Sequence, residues 1–286
     1  YKSDITLPSL ICGLKKAPAR RPAPPLFAYY EKATRVNWRT HWGDTASGVW
    51  IRGGHADDQH DNADRGHVNF IVQGKPILIE AGTPAYHHPL IATHFAAGLG
   101  HNVLQIGTDS SAEIPALRKG PVRLPGWQKT RSIAPLHVRR LDAAGGDVSV
   151  DATACYDNLQ RWVRQVAWTA QQMTVKDAIA LPEDKPEIVL FRWHLGTQSR
   201  PRVNKDSNGL TISWNNASIH IEASVPLSIS LEKMPDHTLR YHLWDDPRPY
   251  AEHFCVVVRS AEPIRAMNMT TAIQSPVSRT KQRRRQ

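Results

Sequence analysis

The chain has 286 residues, 41% of them hydrophobic and 22% charged, with a formal net charge of +10. That length supports a sizeable core in one large or two small domains, and no run of about 18 apolar residues is present to span a membrane as a helix. The charge sits at the ends. Residues 1–25 carry +4 and residues 279–286, RTKQRRRQ, carry +5, which leaves the body near +1. A basic tail without interleaved aromatics or a reader motif is a solvated segment, so the composition speaks against nucleic-acid binding. Cys12, Cys155 and Cys255 are odd in number and widely spaced, which signals neither a disulfide framework nor a zinc ribbon. Cys155 and Cys255 lie in apolar runs and read as core.

The chain opens on YKSDITLPSL, with neither an initiator Met nor a signal segment, as expected if the numbering starts inside a longer protein or an N-terminal part was removed. LPSLICGLKK has the character of a helix end. APARRPAPP cannot continue it, because proline removes backbone donors and restricts its preceding residue. Residues 1–25 are therefore expected to be the end of a helix and a Pro-rich linker, residues 26–275 one β-domain, and residues 276–286 a disordered basic tail.

Short strands dominate from residue 26. HVNFIVQGKPILIEAG places two apolar runs around Gln73-Gly74-Lys75-Pro76, a hairpin signal. GDVSVDATACY alternates Val148, Val150, Ala152 and Ala154 on one face. LTISWNNASIHIEAS alternates on both sides of Asn215-Asn216, a second hairpin. EIVLFRWHL and HFCVVVRSA are continuous apolar runs of strand length, expected mid-sheet. Only residues 85–100 look partly helical. The pattern predicts an all-β fold, a large antiparallel β-sandwich.

The chemistry concentrates in residues 53–101. GGHADDQHDNADRGH loads the entrance of a strand with three histidines and four aspartates. On an extended backbone His60, Asn62 and Asp64 share a face. Glu80 follows the apolar Ile77-Leu78-Ile79 run, and His101 opens the next strand. Imidazole and carboxylate converging from strand ends build a three-ligand site for a divalent ion. A turn at 73–76 brings Glu80 opposite roughly residue 68, so residues 60–64 must fold back over the sheet edge. Any one of these residues alone is ordinarily a solvated turn residue; the set together points to a site, with His55 and His67 evenly balanced. Trp38, Trp42 and Trp50 are candidates for stacking on sugar rings, though aromatics at this density are commonly core.

These residues carry a resemblance. His60-x-x-x-Asp64-x-Gly66, a strand, Gly74-x-Pro76, three apolar residues, an acid and Gly82, followed by GHNVLQIG, resembles the heparinase II/III-like polysaccharide lyases. RWVRQVAWTAQQMTVKDAIAL and FRWHLG also fit that family's sandwich, extending the likeness over most of residues 30–270. The resemblance implies a C-terminal β-sandwich packed on an N-terminal α/α-toroid of the same protein, cleaving an anionic, uronic-acid-containing polysaccharide by β-elimination. It implies His60 as catalytic histidine, with Tyr86 near the substrate. It places Asn62, Glu80 and His101 on metal-ligand positions; His55, Asp64 and His67 are the candidates for binding substrate. One divalent ion, zinc, calcium or manganese, is expected; Asn62 in place of a histidine favours a harder ion than zinc. Glu80 stands where an aspartate is usual, and Ala96 where an arginine is common. The toroid's tyrosine and asparagine have no counterpart here, so LPSLICGLKK would be the toroid's last helix and the chain half of an active site. Such substrates imply a secreted or periplasmic protein. A non-catalytic carbohydrate-binding or structural sandwich, and a cupin-like metal enzyme, are the alternatives.

Overall fold

The computed structural model describes residues 23–58, 61–82, 90–107, 128–206, 209–236 and 251–275. His60, Tyr86, the expected N-terminal helix end and the basic tail lie outside them.

The first sheet is built in chain order from β1 (Phe27–Tyr30), β2 (Arg35–Arg39), β3 (Gly48–Arg52), β4 (Val68–Val72) and β5 (Lys75–Leu78). The chain then turns through a π-helical turn, Ile91–Phe95, and a 3-10 turn, Gly98–Gly100, where partial helix was expected. Next come β6 (Leu104–Ile106), β7 (Leu136–Asp142), β8 (Gly145–Asp151), β9 (Arg161–Trp168), β10 (Gln172–Ala180) and β11 (Val189–His194). The last elements are β12 (Arg202–Asp206), β13 (Gly209–Trp214), β14 (Ala217–Ala223), β15 (Leu227–Asp236), β16 (Ala251–Ser260) and β17 (Ala266–Gln274). An eight-stranded sheet runs β12-β13-β14-β17-β10-β9-β8-β7, and a four-stranded sheet runs β15-β16-β11-β6. Among the described strands every pairing is antiparallel.

One hydrophobic core joins all three sheets. Val36, Val49 and Phe70 of the first sheet pack in the same cluster as Val166, Val175 and Ile219 of the second and Phe191 and Val256 of the third. An isolated bridge, Leu78↔Leu195, ties β5 to the end of β11, so the five- and four-stranded sheets adjoin and the sandwich closes. β11 and β16, the two continuous apolar runs, are the central strands of their sheet, and all six residues of β11 are buried.

The turns follow from local chemistry. Gln73 and Gly74 link β4 to β5 with φ of 49° and 73°, the left-handed pair that a two-residue hairpin requires. A side chain at residue 74 would stand 2.1 Å from the Asp44 carbonyl oxygen. Asn215, φ 47°, opens the β13–β14 turn. One element departs from the alternating pattern: β8 ends at Asp151, and Thr153–Cys155 is a 3-10 turn that leaves Ala154 exposed and buries Cys155 in its place. Trp38 is core, whereas Trp42 is 52% exposed. No helix among the described residues is long and apolar enough to cross a membrane.

Candidate functional site

The site lies where β3, β4, β5, β6 and β11 end. The segment from Gly53 to His67 leaves β3 and returns to β4, and two arginines, Arg65 buried and Arg52 partly buried, give it shape. Arg65 donates through Nη1 to Asp61 Oδ1 (2.7 Å) and to the Asn62 carbonyl (2.6 Å). Its Nε reaches the Ser132 carbonyl (3.1 Å) and its Nη2 the His55 carbonyl (3.2 Å). Gly54 makes room for this side chain, because a Cβ there would fall 2.4 Å from Arg65 Nε. Arg52 donates to Asp58 (2.9 Å) and Asp61 (2.7 Å), and its Nε lies 2.5 Å from Asp64 Oδ1. The acidic run-up to β4 is thus largely matched to two arginines.

β4 and β5 then bring the acid to the histidines. A bulge at Phe70/Ile71 sets Phe70 opposite Leu78, which brings Glu80 level with Val68 just past the end of β5. Asn102 ties the pieces together. Its side-chain amide donates to the carbonyls of Val68 and Ile79, both at 2.9 Å, and its side-chain oxygen accepts the His194 amide (2.7 Å). Its own main-chain amide donates to His67 Nδ1 (2.9 Å). From the opposite sheet Arg164 donates to the Gly66 carbonyl (2.9 Å) and to that of Asn102.

The result is a group of buried His67 and His101 with half-buried Glu80, whose ligand atoms all lie within 4.8 Å of one another. The rings of His67 and His101 meet edge to face with centroids 5.3 Å apart. His101 Nδ1 is 3.7 Å from Glu80 Oε2. Burial pushes His67 down to about 3; the Asn69 side chain opposes this, and Arg164 and Arg52 add to it. Burial, then His67, Arg52 and His94, hold His101 well below the ordinary histidine range, against the Phe95 main chain. Burial raises Glu80, against the pull of Arg52. Burial likewise raises Asp64, to about 7, although Arg52 and Arg65 pull it down. Neutral imidazoles beside a carboxylate are the donor chemistry a divalent ion takes. His101 fits that role best, since neither ring nitrogen makes a hydrogen bond of normal geometry. His67 Nε2 likewise makes no hydrogen bond of normal geometry, although the Asn69 side chain bears on the ring.

The expected site residues divide accordingly. Glu80 and His101 come together as expected, and His67, expected beside the substrate, joins them. Asn62 is half-buried, with its carbonyl on Arg65. Asp64 is 7% exposed and paired with Arg52. His55 is half-exposed, with Nδ1 accepting the Asp57 amide. Asn102, Arg52, Arg65 and Arg164 escaped attention at the sequence level. Arg164 and Asp177 had a readable signal, since each interrupts the apolar face of an alternating strand, in Trp162-x-Arg164-x-Val166 and Val175-x-Asp177-x-Ile179.

The profile of the heparinase II/III-like C-terminal family matches residues 47–243, well over half of the chain and all of this site. The chain belongs to that family. No curated protein matches it in sequence. Among solved structures it is similar to the heparan sulfate lyase of Pedobacter heparinus, with TM-score 0.65 and 13% identity, covering 95% of this chain and 39% of that one. It is also similar to a heparinase III structure, with TM-score 0.64 and 15% identity, covering 91% and 38%. A further heparinase III gives TM-score 0.63 at 12% identity, covering 89% and 36%. At these identities the likeness is one of fold, and it accords with the heparinase II/III-like sandwich. The chain spans under two fifths of each of these structures.

Proposed function

We propose that this chain is the C-terminal domain of a polysaccharide lyase that cleaves a uronic-acid-containing polymer by β-elimination. The observation that carries the reading is the convergence of Glu80 and His101 on one pocket within a heparinase II/III-like sandwich. In the reaction a base takes the proton from C5 of the uronate, the C5 electron pair forms the C4–C5 double bond, and the C4–O4 bond breaks. An acid then protonates the departing O4. C5–H is a weak acid, so neutralising the adjacent carboxylate supplies much of the rate.

His60 and Tyr86 are assigned to the proton transfers, on the family likeness. Asn62, Glu80 and His101 would hold one divalent ion, which supplies positive charge next to the substrate and ties three strand ends together. His55, exposed at the loop rim, and His67 would meet the substrate, and Asp64 would serve it through Arg52. A toroid domain of the same protein would supply the other half of the cleft, and a polysaccharide substrate implies a periplasmic or secreted enzyme. Because the chain spans under two fifths of the lyases it resembles, a purely carbohydrate-binding sandwich is the second reading. The family assignment leaves the cupin alternative without support.

The test is absorbance near 235 nm, where the unsaturated product appears, on uronate polymers with the chain alone and with its upstream polypeptide. Cleavage that requires the upstream part and disappears in His60→Ala supports the lyase. Saturable binding without cleavage in both preparations supports the second reading.

A further inference from the structure

The Asn102 amide approaches His67 Nδ1 at 2.9 Å, and a main-chain N–H can only donate. Nδ1 must therefore present its lone pair, and a neutral imidazole in that position carries its single proton on Nε2. His67 is 4% exposed and lies in the pocket shared with Glu80 and His101; its Nε2 makes no hydrogen bond of normal geometry, and the Asn69 side chain bears on the ring as an acceptor, in keeping with a proton on Nε2. A nitrogen that carries a proton has no lone pair for a cation. Turning the ring over by 180° would offer Asn102 a carbon and lose the bond. By position His67 belongs with the ligands; by protonation it does not.

What keeps the amide in place is the Asn102 side chain. It uses both amide hydrogens and its oxygen on three different strand ends, Val68, Ile79 and His194, while Arg164 caps its carbonyl. The side-chain bonds fix the Asn102 Cα, and rotating the 101–102 peptide about it would also break the bond from the Val103 amide to the His101 carbonyl (3.0 Å).

We propose that Asn102 is a positioning residue that locks His67 in the Nε2–H tautomer, so that His67 enters the pocket as a hydrogen-bond donor and not as a ligand. Cation binding is then left to Glu80 and His101, with Asn62. The ligand class for His67 is a carboxylate or ring oxygen of an anionic sugar. That last assignment rests on the lyase reading; the tautomer does not.

The experiment is a long-range proton–nitrogen correlation spectrum of the full chain labelled with 15N-histidine, assigned by His67→Gln. His67 should show an unprotonated Nδ1 and a protonated Nε2, and should keep that pattern when zinc chloride is added to saturation. A proton on Nδ1, or loss of the Nε2 proton with zinc, overturns the proposal. His67→Gln should retain the wild-type metal content, whereas a loss of metal equal to that of Glu80→Ala would also overturn it. Asn102→Asp keeps the acceptor for His194 but cannot donate to Val68 and Ile79, and a folded variant should populate both tautomers. A single Nε2–H tautomer in folded Asn102→Asp would remove the side chain from the positioning role. If that variant does not fold, the wild-type spectrum decides. A chain inactive on polysaccharide would leave the spectrum unchanged, so the two readings fail separately.

Discussion

Arg164 and Asp177 stand directly opposite one another on β9 and β10, fully buried, with Nε–Oδ1 at 2.8 Å and Nη2–Oδ2 at 3.1 Å. The Trp162 indole N–H adds a third bond to Asp177 (2.8 Å), and the guanidinium lies among the rings of Trp162, Phe191 and Trp193. From this anchored position its remaining N–H groups reach across the core to Gly66 and Asn102, the two backbone pieces that carry His67 and His101. The second sheet thus sets the geometry of a pocket built on the other two.

Arg164→Met should be among the most damaging core substitutions, because it strands the Asp177 charge and frees two buried carbonyls. A loss of about 3–5 kcal/mol is expected from breaking a buried pair by one partner. Arg164→Met combined with Asp177→Asn should cost less than Arg164→Met alone. Urea denaturation monitored by tryptophan fluorescence measures both; equal losses would mean the ion pair is not what matters.

Glu80→Ala should lower bound divalent metal and melting temperature together, since a ligand at a strand end serves both. Metal analysis after dialysis against zinc, manganese or calcium, paired with a thermal melt, checks this. Unchanged stoichiometry would take Glu80 out of the site.

Gly54→Ala should destabilise the loop between β3 and β4. The new methyl would meet Arg65 at Nε, Cγ and Cδ, and that side chain is pinned by four hydrogen bonds and cannot move aside freely. The expected cost is about 1–3 kcal/mol, as for overpacking elsewhere. Hydrogen exchange should rise at the Arg65 and Gly66 amides first; protection equal to wild type would contradict the packing argument.

Stability should fall as pH drops from about 7 to 5. His194 Nε2 lies 3.0 Å from the Leu99 carbonyl, which can only accept, so neutral His194 is protonated at Nε2 and takes the His253 Nε2 hydrogen on its Nδ1 (2.7 Å). Burial, and then His253, hold His194 well below the ordinary range, and burial holds His253 near 4. The unfolded chain binds protons near pH 6.5 that the folded chain does not, so this contribution is complete above that value and is lost on acidification. Each such histidine costs up to about 1.4 kcal/mol per pH unit in that window. Asp64, raised to about 7, acts in the opposite sense, taking up a proton in the folded state first. Among the described residues four depressed histidines (His67, His101, His194 and His253) outnumber the two raised carboxyls. Urea midpoints that stay flat or rise between pH 7 and 5 would refute the net sign.

The strands, both hairpins and the central position of β11 and β16 were legible from residue order alone. Period-two burial and two-residue turns are local properties, and each strand carries them whatever its partners. Ala154 was misread because nothing in DATACY marks where extension gives way to a 3-10 turn. The meeting of Glu80 with His101 was legible only as a convergence of strand ends. The partners of the aspartates were decided by tertiary structure, since Asp58, Asp61 and Asp64 pair with arginines whose reach depends on the path of the loop. So was the tautomer of His67, because it depends on a main-chain amide 35 residues away. Local alternation determines which face of a strand is apolar, but which donor meets which acceptor at the strand ends depends on how three sheets share one core.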